Sequence, residues 1–221
     1  IRKQIAEYPL LQYVVSNNED WGIARGRNLA MQQVKTKYLF LLDDDIKFIS
    51  ESRLEKLVEV LDTTDATVAA GTYMGRTKFS GYFQLNHFDT NSTRPKRKII
   101  CLHDACVFVN QTISGHPRCI RCELTSNVFL ARTKEMLAVG GWDPELMIVE
   151  HMDVFIRLKA AGMKVVMCPD VKFYHARPST IEVKGEDYAE KRRRGGGRFV
   201  LLIVNDKPSS SRCKEMKIKL D

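Results

Sequence analysis

The chain has 221 residues, 44% of them hydrophobic, and a formal charge of +8 with a pI near 9.2, so it is long enough to bury one core as a single α/β domain. Its longest apolar runs, residues 38–42 and 199–204, are strand-sized, which excludes a membrane span in this sequence and makes a soluble chain the expectation. Much of the positive excess lies in residues 94–98 and 191–198, neither interleaved with aromatic residues, so a solvated loop and a basic tail are expected rather than a nucleic-acid surface.

In chain order, residues 10–15 read as a strand that ends at the polar group 16–20. A loosely amphipathic helix follows, carrying Ile23, Leu29, Ala30 and Val34, and leads into a short apolar strand over residues 38–42. That strand discharges into Asp43-Asp44-Asp45. The clearest helix spans 52–61, with Leu54, Leu57, Val58 and Leu61 on one face, and 67–71 reads as a buried strand. From 72 to 121 the pattern loosens into strands around Tyr82 and Val107 separated by the polar, proline-containing segment 89–98, which predicts an antiparallel insertion rather than a second domain. Regularity returns with a strand at 128–131 and a helix at 133–139 closed by Gly140-Gly141. A second helix runs from about 149 to 161 and stops at Gly162, and strands at 164–167 and 171–174 complete the core. Beyond Arg177 the chain reads as peripheral, with 199–204 as an edge strand. The alternation predicts an α/β fold: a mixed, mostly parallel sheet flanked by helices, with ligands at the carboxyl ends of the strands. The domain reading is a catalytic body over 1–178 that includes a cysteine-containing insertion at 72–122, followed by a peripheral basic segment at 179–221.

Six cysteines leave two compartments open. Cys119 and Cys122 have zinc-like spacing, with Cys101, Cys106, His103 and His116 as the nearby partners, while disulfides are the simpler reading for a lumenal protein. The sequons Asn91-Ser92-Thr93 and Asn110-Gln111-Thr112 favour the secretory pathway. The chain begins at Ile1, so any signal or membrane anchor is expected upstream of this sequence.

Three consecutive carboxylates at a strand end repel one another unless a cation or a donor-rich ligand neutralises them. Magnesium or manganese takes hard oxygen ligands and keeps positions open for a diphosphate. The competing reading is an Asp-rich turn before the helix that starts near Ser50 or Ser52.

Further residues align with this feature: Gly22, Arg25, Gly26, Arg27, Asn28, Leu29 and Ala30; Thr36-Lys37-Tyr38; Phe129-Leu130-Ala131-Arg132-Thr133; Asp143-Pro144; His151; and His175. In this order the chain resembles the GT-A glycosyltransferases, and within them the GM2/GD2 synthase type of β1,4-N-acetylgalactosaminyltransferase, over roughly 22–175 with the middle section poorly matched. The first strand of the usual nucleotide-binding half is expected upstream of Ile1.

The resemblance implies a metal-dependent inverting transferase that moves a sugar, GalNAc, from a UDP-sugar to a glycan or glycolipid acceptor in the Golgi lumen. It implies that Asp43 and Asp45 frame an Asp-x-Asp motif, one acid meeting the ribose of the donor and another the metal, with Asp43 a candidate for both, Asp44 eligible as well, and His175 completing the manganese or magnesium site. Arg27 and Asn28 would meet the nucleotide or diphosphate. For the base that takes the acceptor proton, Asp153 ranks first, then Glu150, with His151 as base or orienter. Gly141, Trp142 and Asp143 are acceptor-site candidates, Trp142 as a platform for a sugar face, with core packing as its alternative. Two rival functions are transfer of galactose, N-acetylglucosamine or glucuronic acid, and an inactive glycan-binding or interaction module. Nucleic acid is not an expected partner.

Overall fold

The computed structural model describes residues 22–43, 45–74, 81–87, 98–104, 112–146, 150–176 and 214–218. Outside them lie the strands expected at 10–15, around Val107 and at 199–204, the basic segment 191–198, Asn91 and Asn110 of the two sequons, Cys106, and Asp44.

Along the chain come α1 (Gly22–Gln33), β1 (Tyr38–Leu41), β2 (Ile46–Lys47), α2 (Leu54–Thr63), β3 (Ala66–Tyr73), β4 (Gly81–His87), β5 (Lys98–Asp104), β6 (Thr112–Ile113), β7 (His116–Cys122), β8 (Phe129–Arg132), α3 (Thr133–Ala138), α4 (Glu150–Ala160), β9 (Lys164–His175) and β10 (Lys214–Ile218). Among the described residues seven strands form one sheet in the order β1-β8-β3-β9-β7-β6, with β2 pairing to β9. A separate three-stranded antiparallel sheet runs β10-β5-β4.

The α/β class holds, but the direction of the strands differs from expectation. In the main sheet only β3 and β9 run parallel among the described strands, and the other pairings are antiparallel. The reason is two-sided burial. Residues 128–131, at and just before β8, alternate between two cores, Phe129 and Ala131 facing one and Val128 and Leu130 the other, as do Val165 and Met167 against Val166 and Cys168 of β9. Burial on both faces makes a strand read as a continuous apolar run whatever its direction.

One face is covered by α1 and α4 through Ala24, Met31, Val154, Phe155 and Leu158, joined by Met136 of α3 and by Trp142. The other is covered by α2 through Leu57, Val60 and Leu61, the stripe its spacing predicts. α2 begins at Leu54 rather than Ser52, because the Ser52 hydroxyl is used elsewhere, accepting from Ile49 N and donating to Lys172 O. The two strands expected at 164–167 and 171–174 are one, β9, whose register against β3 shifts between Ala70 and Thr72. Gly71 lies at that shift, where a Cβ would come within 2.6 Å of the Phe173 ring and 2.7 Å of Val171 O.

Cys119 and Cys168 are joined in a disulfide across the β7–β9 ladder, and Cys122 is a buried free thiol. The zinc reading of the Cys119/Cys122 pair is thereby corrected, since alternate positions on β7 send the two side chains into opposite cores. His116 meets the Thr63 hydroxyl at 2.7 Å.

Candidate active site

The polar residues of interest gather where β1 ends, where α4 begins and where β9 ends. Arg27, on the inner side of α1, is their hub. Its Nη2 donates to Asp43 Oδ1 at 2.9 Å and its Nη1 to Glu150 Oε1 at 2.9 Å. Its guanidinium also lies over the Trp142 ring, 5.6 Å from the centroid. One cation therefore joins the end of the aspartate-terminated strand to the first residue of α4, and the fork geometry of arginine suits two carboxylates at once.

Asp45 lies on the other side of the turn. Its Oδ2 meets His175 Nε2 at 2.8 Å, and its backbone carbonyl accepts from Ala176 N at 2.8 Å. β2 makes this meeting possible by pairing Ile46 with His175. Sequence reading did not anticipate β2, since two residues carry no periodicity. Tyr73, at the end of β3, stacks on the His175 ring with centroids 5.0 Å apart. Burial, followed by the charges of Asp43 and Asp45, pushes its phenol up. Tyr73 was missed because the strand was expected to stop at residue 71. The signal lay in a tyrosine ending a core strand.

The donor set fits a divalent cation. Asp45 Oδ1 is buried without a partner, and a carboxylate oxygen and an imidazole nitrogen face each other beside it. Among the described residues no three His, Cys, Asp or Glu side chains form a closed cage. Such a cage is not required, because magnesium-like ions are held by one or two carboxylates while substrate oxygens and water complete the shell.

Asp153 sits one turn into α4, where Arg157 Nε donates to its Oδ2 at 2.8 Å and Nη2 lies 2.7 Å from the same oxygen as an ion pair. Its neighbour His151 points elsewhere. His151 Nε2 donates to Thr125 O at 2.6 Å, and the ring packs edge-on against Phe155. Burial pushes its imidazole down to about 4 although the Thr125 bond opposes the shift, and its other nitrogen is buried without a partner. The base role expected for His151 is corrected on these grounds; the orienting role is the one its contacts allow.

The loop 139–144 passes between α1 and α4. Gly140 and Gly141 have φ of +81° and +64°, values that favour glycine. At Gly141 the loop passes close to Asn28, where a Cβ would fall 2.3 Å from Asn28 Oδ1. Asn28 spends both ends of its amide on Trp142, donating to its carbonyl at 2.6 Å and accepting from its N–H at 2.8 Å. Trp142 itself is 1% exposed and belongs to the core, so core packing replaces the sugar-platform reading. Asp143 is half-buried, and its Oδ1 accepts from Glu145 N at 2.9 Å, ordinary turn chemistry.

The profile of glycosyl transferase family 2 matches residues 1–126. The chain is 36% identical over 153 residues to β-1,4 N-acetylgalactosaminyltransferase 1 of Rattus norvegicus, an alignment covering 68% of this chain and 27% of that protein. Against the Homo sapiens protein of the same name it is 35% identical over 153 residues, with 68% and 27% covered. Against β-1,4 N-acetylgalactosaminyltransferase 2 of Mus musculus it is 35% identical over 150 residues, again with 68% and 27% covered. The chain thus spans about a quarter of the length of these relatives. With more than half of its residues matched by the family profile, the chain belongs to glycosyl transferase family 2.

Proposed function

We propose that this chain is the catalytic domain of a metal-dependent inverting transferase that moves a sugar, GalNAc, from a UDP-sugar to a glycan or glycolipid hydroxyl, forming a β-linkage. The observation that carries the reading is the convergence of Asp43, Arg27 and Glu150 with Asp45, His175 and Tyr73 around one strand end. Kinship with β-1,4 N-acetylgalactosaminyltransferases supports GalNAc as the sugar. A lumenal Golgi setting accords with the Cys119–Cys168 disulfide.

In this reading Asp45 and His175 hold manganese or magnesium, with Asp43 and Asp44 completing the acidic end. The bound ion supplies Lewis-acid stabilisation of the departing diphosphate. Arg27 keeps Asp43 and Glu150 from repelling each other and sets a positive charge beside the diphosphate. Asn28 contributes by holding the Trp142 backbone, which fixes the loop that presents Gly141 and Asp143 to the acceptor. Asp153 accepts the proton of the attacking hydroxyl on the carboxylate that Arg157 orients, and Glu150, already bridged to Arg27, is the second acid of the pair. Residues 1–178 form the catalytic unit with the insertion at 72–122, and 179–221 is a peripheral segment.

The test is a donor panel with manganese. Wild-type protein should release UDP and transfer sugar only with metal present, fastest from UDP-GalNAc. Asp45→Ala should cost on the order of 10²-fold or more, in line with losing a charge-stabilising group. A different best donor would redirect the sugar assignment, and metal-independent turnover would sink the metal reading.

A further inference from the structure

We infer that Arg157 is a positioning residue that couples the acceptor loop to the general base. Its side chain lies on α4 four residues beyond Asp153, and all three of its nitrogens are engaged. Nε and Nη2 converge on Asp153 Oδ2 at 2.8 and 2.7 Å, Nη1 donates to Val139 O at 2.6 Å, and Nη2 also donates to Gly141 O at 2.6 Å. The same planar group thus holds a carboxylate and two carbonyls of one loop.

The loop is shaped to meet it. The positive φ of Gly140 and Gly141 allows the carbonyls of 139 and 141 to accept from one guanidinium. From the opposite side the Asn28 amide clamps the Trp142 N–H and C=O, and Arg25 Nε donates to Pro144 O at 3.1 Å. The loop is held at both faces, and the Arg157 side ties it directly to the carboxylate proposed as the base. Displacement of the loop by an acceptor would pull on the guanidinium and through it on Asp153, so acceptor seating and orientation of the base are one event. Misplacing a reacting group by about 1 Å costs on the order of 10²-fold in rate, so such a linkage matters for turnover.

This inference rests on Asp153 as the base, and the experiment separates the two claims. Arg157→Gln and Arg157→Lys are assayed in the full chain for KM of acceptor, KM of donor and kcat, with Asp153→Asn alongside and amide exchange over residues 139–143 followed by mass spectrometry. Arg157→Gln should raise acceptor KM about tenfold and lower kcat, leave donor KM within about twofold, and speed exchange in 139–143. Arg157→Lys keeps the charge beside Asp153 and loses the fork to the carbonyls. It should recover part of kcat while acceptor KM stays raised. A general loss of folding would move donor and acceptor KM together and lower Tm in both variants, and that outcome, or no change in exchange at 139–143, overturns the inference. If Asp153→Asn keeps wild-type kcat, the base assignment fails by itself and takes the coupling with it. Should no donor turn over, the exchange measurement alone still decides whether Arg157 holds the loop.

Discussion

Arg27 shows how much of the site depends on a single cation. Its side chain is 10% exposed and that of Glu150 9%, so removing the guanidinium would strand a carboxylate that water barely reaches. Arg27→Ala should destabilise the fold by about 3–5 kcal/mol, the usual cost of breaking a buried pair by deleting one partner. Arg27→Ala combined with Glu150→Gln should recover part of that loss in urea melts, and a double variant no more stable than the single would deny the pairing its role. Sequence alone exposed Arg27 as a candidate, but as a contact for the nucleotide. Its twofold engagement was not legible, because its partners lie 16 and 123 positions away and no periodicity links them. Arg157 was more accessible to reading, since four residues separate it from Asp153 on a helix.

At the scale of elements, two of the ties that hold the sheet beyond its ladders lead to predictions. The Cys119–Cys168 disulfide closes a loop of 49 residues between β7 and β9, which in the chain-entropy account contributes about 4 kcal/mol. Replacing both cysteines by serine should lower the guanidinium midpoint accordingly, and an unchanged midpoint would show that the ladder suffices. The second tie is exposed: Asp65, just before β3, meets Arg121 of β7 and Lys164 of β9. Arg121 and then Lys164 hold its carboxyl down to about 2, against an ordinary 3.8. The contribution is therefore complete above pH 4 and is lost as pH falls towards 2. Asp65→Asn should flatten that part of the Tm profile, and an identical acid limb would remove Asp65 from the balance. Helices and core strands were legible because their apolar spacing is set by burial. Strand direction and the junction at 168–171 were not, since neither leaves a periodic mark.

For the whole molecule, the two cores flank a sheet whose strand ends carry the candidate site, so ligands for that site should stabilise the fold globally. A ligand at a hundredfold its Kd adds about 2.7 kcal/mol. Manganese with UDP should raise Tm by several degrees, well beyond either alone, and chelation should reverse the gain; equal shifts with UDP alone would argue against a shared site. The order of the strands carries a consequence for biosynthesis. β9 pairs with β2, β3 and β7 and brings in His175, yet among the described strands of the main sheet it is the last to be made. A nascent chain that has emerged only as far as Arg132 owns Arg27 and the aspartates but lacks Glu150, Asp153 and the histidine. Its β3 still waits for the neighbour that completes the sheet. The ribosome therefore delivers the second half of the candidate site and the closing strand together, and an unfinished chain holds that site incomplete.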